Sequence, residues 1–134
     1  GENNKVMSNN WEFFTEKEMR CEGTGGCEMN EEFMSKLIEL RKKFNEPMII
    51  TSGYRHPAYN MVIGGAPNSP HMKGRAVDVS IMGKEAVRLV RLALDTGMTG
   101  IGVAQRGSAI KRFIHIDDLE NSHEHPRPWI WSYK

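Results

Sequence analysis

Apolar and polar positions follow two rhythms along this chain. In "EEFMSKLIELRKKF", residues 31–44, Phe33, Met34, Leu37, Ile38 and Phe44 recur at helical spacing, and the stem of Arg41 completes the stripe. Asn30 offers an N-cap, acids open the segment, and Lys42 and Lys43 close it, as the helix macrodipole favours. A second amphipathic helix is predicted over "GKEAVRLVRLALDTG", with Gly97 as its C-cap. A short helix is expected after Thr15, because "TEKE" places Glu18 at the capping-box position.

The other rhythm has period two. In "RAVDVSI", Val77, Val79 and Ile81 alternate with Ala76, Asp78 and Ser80, so the two sets face opposite sides of a sheet. "MIITSGYR" follows Pro47 and reads as a buried strand ending at Gly53. "TGIGVAQ" and "KRFIHID" read as two strands joined by a turn at "RGSA", the second placing Phe113, His115 and Asp117 on one face. Trp129, Trp131 and Tyr133 also alternate, as a tail strand packed on the sheet or as the wall of a peptide or glycan groove. These elements predict an α+β single domain with an antiparallel or mixed central sheet flanked by helices.

At 134 residues the chain is sized for one core. Residues 1–10 are polar and are expected to be a flexible segment ahead of a domain over 11–134. With 26% charged residues and a net charge of +1, composition gives no electrostatic reason to expect nucleic acid or an anionic membrane as partner. No apolar run reaches the roughly 20 residues a membrane span needs, and a monomer is expected. Cys21 and Cys27 in "CEGTGGCEMN" lack the spacing of a structural zinc site; they read equally as a short-loop disulfide or as two unpaired thiols.

Chemistry concentrates in "SPHMKGRAVDVS". If Gly74 turns the chain, His71 just before the turn and Asp78 three residues into the strand converge on one point, with Ala76 leaving space beside it. Imidazole and carboxylate are zinc ligands, and His115 on a neighbouring strand is the natural third, leaving a fourth position for water. The plainer reading of the same residues is a hydrogen-bonded His and Asp at the surface.

"SPHMKGRAVDVS" also resembles the S-x-H-x-x-G-x-A-x-D signature of the zinc D-Ala-D-Ala carboxypeptidase family. That family includes phage L-alanyl-D-glutamate endolysins and is related in fold to the hedgehog signalling domain. "LRKKFNEPMIITSGYRHPAYNMVIGGAPNSPH", "FIHID" and the terminal "WSY" are similar to one branch of it, so the resemblance runs from about Phe13 to the end of the chain. It implies a zinc peptidase domain that hydrolyses a peptide bond in bacterial cell-wall peptidoglycan, as a D,D-carboxypeptidase or an endopeptidase, with the stem peptide as substrate. The zinc ligands it implies are His71, Asp78 and His115. Arg55 of "SGYR" would hold substrate and polarise the scissile carbonyl, although alone it reads as a surface charge at a strand end. Ser69 is expected to support the ligand loop or to be only a turn residue beside Pro70, and Tyr54 and Tyr59, flanking Arg55, to line the cleft or join the core.

One departure stands out. Many relatives carry a general-base carboxylate three residues before the last histidine ligand, where this chain has Arg112. Asp117 is the preferred substitute, since it shares a strand face with His115; orienting a ligand histidine, or simply ending the strand, are its other readings. Glu120, His123 and His125 are further candidates in a polar stretch. A chain without the usual base also admits a different class of function, a non-catalytic zinc-stabilised module of a phage or of a cell-wall-binding protein.

Overall fold

The computed structural model describes residues 11–134; the flexible segment expected at 1–10 lies outside them. Helix α1, Glu16–Met19, begins with the expected reciprocal capping box: Thr15 Oγ1 accepts from Glu18 N, and Thr15 N donates to Glu18 Oε1. Helix α2, Glu31–Phe44, starts with Asn30 Oδ1 accepting from Phe33 N and ends at Asn45 in the left-handed conformation. Its buried side is Phe33, Met34, Leu37, Leu40 and Phe44; Ile38 is only partly covered, and Arg41 lies over the ring of Phe13.

Five strands form one sheet: β1 (Ile49–Ser52), β2 (Ala76–Ser80), β3 (Gly100–Ala104), β4 (Phe113–Asp117) and β5 (Trp129–Ser132). Their order is β1-β2-β4-β3-β5, with β5 parallel to β3 and the other pairs antiparallel, so the sheet is mixed. The strand expected to be buried, β1, is an edge. Ile49 is 65% exposed because it pairs with Ser80 on the face away from the core, while Ile50, paired with Val79, turns inward.

Helix α3, Pro57–Val62, was not foreseen from the sequence; Pro57 opens it, and the ring of His56 caps it by accepting from Ala58 N. Helix α4, Gly83–Asp95, is the second amphipathic helix, capped by Thr96 one residue before the expected Gly97, which follows at φ 98°. Val77, Val79, Ile101, Ile114 and Ile116 on one sheet face meet Leu37, Leu40, Leu89 and Ala93 in a single core. Each fully buried Val, Leu or Ile among them stabilises by about 1.5–3 kcal/mol. Period-two alternation then commits Asp78, His115 and Asp117 to the other face. Among the described residues no helix is long and apolar enough to cross a membrane.

Candidate metal centre

Strands β2 and β4 lie side by side, and their register sets Asp78 directly opposite His115. Opposite residues of an antiparallel pair share a face, so these two side chains meet without any loop to position them. His71 sits on the short 3-10 helix Pro70–Lys73, whose N-cap Ser69 accepts through Oγ from His71 N at 3.2 Å. Gly74 then turns the chain into β2 at φ 67°, and the His71 carbonyl accepts from Arg55 N and Gly74 N.

Hydrogen bonds decide which nitrogens face inward. His71 Nδ1 lies 2.8 Å from the Gly53 carbonyl, which can only accept, so this nitrogen carries the proton and the Nε2 lone pair is left for the centre. His115 is turned the other way: Nε2 lies 2.7 Å from Asp117 Oδ2, and Nδ1 faces Asp78 Oδ1 at 3.2 Å. His71 Nε2 is 3.3 Å from the same oxygen. One ligand atom from each of His71, Asp78 and His115 thus lies within 4.8 Å of the others. Both histidines are buried and Asp78 nearly so.

Electrostatics fit a cation there. Burial would raise the Asp78 carboxyl, but the imidazoles of His115 and His71 beside it override this whenever they are protonated and hold the group well below the usual carboxylate range. Burial would likewise depress His115, yet Asp117 and Asp78 on either side raise it. Asp117 falls to about 2 against its own burial, because His115 and Arg127 both donate to it. Two nitrogens and one oxygen, each nitrogen oriented by a partner behind it, form a donor set that suits zinc.

The remaining candidates take varied positions. Asp117 has the expected face but is wholly buried, on the Nε2 side of His115 and so away from the point where the three ligand atoms converge. Arg55 leaves the end of β1 half-exposed, its guanidinium donating to Asn60 Oδ1 at 3.0 Å and Ser52 Oγ at 3.4 Å. It borders a cleft of about 720 Å3 lined also by Arg20, Glu22, Gly53, Tyr54 and Tyr59, and Gly53 is the residue whose carbonyl holds His71. Tyr54 is buried in the core and also lines the cleft. Arg112 Nε donates to the Gly107 carbonyl. Glu120 and His123 are exposed, and His125 is tied to the Asn68 carbonyl at 2.6 Å. Trp131 lies 5.0 Å from the His115 ring and Tyr133 5.1 Å from Phe113, so these two rings pack on the sheet while Trp129 stays largely exposed. Cys21 and Cys27 are free thiols.

Four positions in contact with candidate site residues were not foreseen. Buried Asn60 holds Arg55, and Gly65 leaves room for that contact, since a Cβ there would strike Asn60 Oδ1 and come within 3.1 Å of Arg55 Nη1. Arg127 and Gly100 border Asp117. The available signal was glycine at alternate positions of "TGIGVAQ", where a strand ordinarily avoids it unless something approaches closely.

The α+β sheet presents two histidines and an aspartate from its central strands and an adjoining turn, a donor set that could hold a metal ion. The family model described as Peptidase M15 matches residues 12–117. This chain belongs to the peptidase M15 family, a family of metallopeptidases. No curated protein matches it.

Proposed function

We propose that this protein is a zinc-dependent peptidase that cleaves a peptide bond in the stem peptides of bacterial peptidoglycan, acting as a D,D-carboxypeptidase or an endopeptidase. The observation that carries the reading is the convergence of His71 Nε2, His115 Nδ1 and one Asp78 oxygen, with the opposite nitrogen of each ring already engaged. The chemistry zinc supplies when bound to such a set is Lewis acidity, which polarises a carbonyl and makes water a stronger acid.

The protein's own groups supply the rest. Asp78 contributes negative charge to the ligand set, and the Gly53 carbonyl keeps His71 in the tautomer that presents Nε2. Arg55, anchored by Asn60 and Ser52 at the mouth of the adjoining cleft, is suited to hold a substrate carboxylate or carbonyl and to stabilise negative charge developing there. For Asp117, burial behind His115 supports orienting that ring over taking a proton from water.

Elemental analysis of the purified protein should find about one zinc per chain, lost in His71→Ala, Asp78→Ala and His115→Ala. Mass analysis of products from defined muropeptides identifies the bond cut. Full zinc occupancy in all three variants would refute the ligand assignment. One observation favours a second reading. Arg112 stands at the relatives' base position and Asp117 is enclosed, which suits a zinc-stabilised module without activity. A zinc-loaded protein that turns over no muropeptide selects that reading.

A further inference from the structure

The residues after Asp117 lie beyond the segment matched by the family model, yet they return to the centre. Arg127 donates through Nε to Asp117 Oδ1 and through Nη2 to Oδ2, both at 2.9 Å. This is a two-point fork on a carboxylate with no solvent exposure, from a guanidinium side chain only 6% exposed. The same Oδ2 accepts from His115 Nε2. Trp131, on β5, closes the arrangement: its ring lies 5.0 Å from that of His115, and Arg127 lies over it at 5.2 Å. Strand β3 is shaped to admit these groups. A Cβ on Gly100 would strike the Asp117 carboxylate and fall 2.6 Å from Arg127 Nε, and one on Gly102 would fall 2.8 Å from Trp131 Nε1.

We infer that Arg127 is a positioning residue for the metal ligand His115, acting through Asp117, and that the tail supplies it. The fork fixes the plane of the carboxylate, and the carboxylate fixes the tautomer and rotation of the imidazole so that Nδ1 points at Asp78. Trp131 blocks the ring from turning out of that orientation. This inference rests on reading His115 as a ligand. A buried ion pair that merely fastened the tail would affect folding and leave metal binding by the folded protein as it was.

Two variants separate the roles. Arg127→Lys keeps the charge and loses the fork. Asp117→Asn with Arg127→Gln removes both charges together, so no lone buried charge is left to unfold the chain; read against Asp117→Asn alone, it decides the matter if the lysine variant does not fold. Zinc affinity by competition with a chelator, and the visible absorption bands of the cobalt-substituted protein, are read beside far-UV circular dichroism. Zinc affinity should fall about 10- to 100-fold in the double variant, the usual scale for losing a partner behind a ligand, and by less in Arg127→Lys, with altered cobalt bands in both. Folded variants with the affinity and cobalt spectrum of the unmodified protein would overturn the positioning role. Unmodified protein that binds no zinc overturns the metal reading itself, a different failure.

Discussion

Replacing Gly74 by alanine should unfold the protein far more readily than the same change at Gly64. Both glycines have left-handed backbone, at φ 67° and 71°, and alanine in that conformation costs about 1–2 kcal/mol at either position. The surroundings differ. A Cβ on Gly64 meets nothing within 4 Å, whereas one on Gly74 would overlap the Glu28 carbonyl oxygen and lie 3.0 Å from Asn30 N. Both neighbours are backbone and cannot swing aside. The Asn30 N–Gly74 O hydrogen bond, 2.8 Å long, would be forced apart as well, adding about 1 kcal/mol. The total for Gly74→Ala is therefore about 3 kcal/mol or more, which for a domain of this size lowers the melting temperature by about 10 °C or more. Asn30 caps α2, so the strain reaches the start of the main helix as well as the turn carrying His71. Thermal unfolding of both variants, followed by circular dichroism in chelator, makes the comparison without any contribution from bound metal. If Gly74→Ala melts within about 3 °C of Gly64→Ala, the close approach of the ligand turn to residues 28–30 is wrong.

Zinc at about 100 times its dissociation constant should stabilise the native state by about 2.7 kcal/mol, raising the melting temperature reversibly on chelation, and should leave His115→Ala unmoved. An equal shift in that variant would place the ion elsewhere. Arg55→Lys, which keeps charge but cannot span both Asn60 and Ser52, should lower turnover on a muropeptide while zinc content by elemental analysis stays unchanged; unaltered kinetics would return Arg55 to a surface charge. Gly102→Ala would put a methyl 2.8 Å from Trp131 Nε1 and 2.9 Å from Tyr133 Cε2, so it should cost about 1–3 kcal/mol and shift tryptophan fluorescence. Unchanged melting and emission would remove the tail rings from the sheet.

What could be read from sequence was local. The caps at Thr15 and Asn30, the stripe of α2 and the alternation of β2 and β4 each depend on residues a few positions apart, and all appear in the fold. The convergence of His71 and Asp78 was legible for the same reason, since one 3-10 turn, Gly74 and the first residues of a strand connect them. The edge position of β1 was not, because "MIITS" has the composition of a covered strand and only the strand order leaves it uncovered. Parity placed Asp117 beside His115, but which ring nitrogen it would meet depends on Asp78 and the Gly53–His71 contact across the sheet. Arg127 lay in "ENSHEHPRP", a run that reads as solvated loop; its burial follows from the parallel pairing of β5 with β3, which no local pattern announces.

The grouping of charges on this face also has an energetic meaning. Asp78 and Asp117 bring two negative charges into the middle of the sheet, and Arg127 returns one positive. Each group is hydrogen-bonded, and among the described residues no buried side-chain nitrogen or oxygen lacks a partner. Yet a buried ion pair often stabilises no better than apolar residues of the same volume, so stability alone gives little reason for the set. The deficit of one positive charge falls on His115, which two carboxylates raise toward its protonated form. A divalent cation held by His71, Asp78 and His115 would more than offset this deficit without protonating His115 Nδ1 and would leave Nε2–H on Asp117. The geometry that makes this face costly for a plain core therefore makes it favourable for a metal, and the tail that brings Arg127 limits how much of the cost remains.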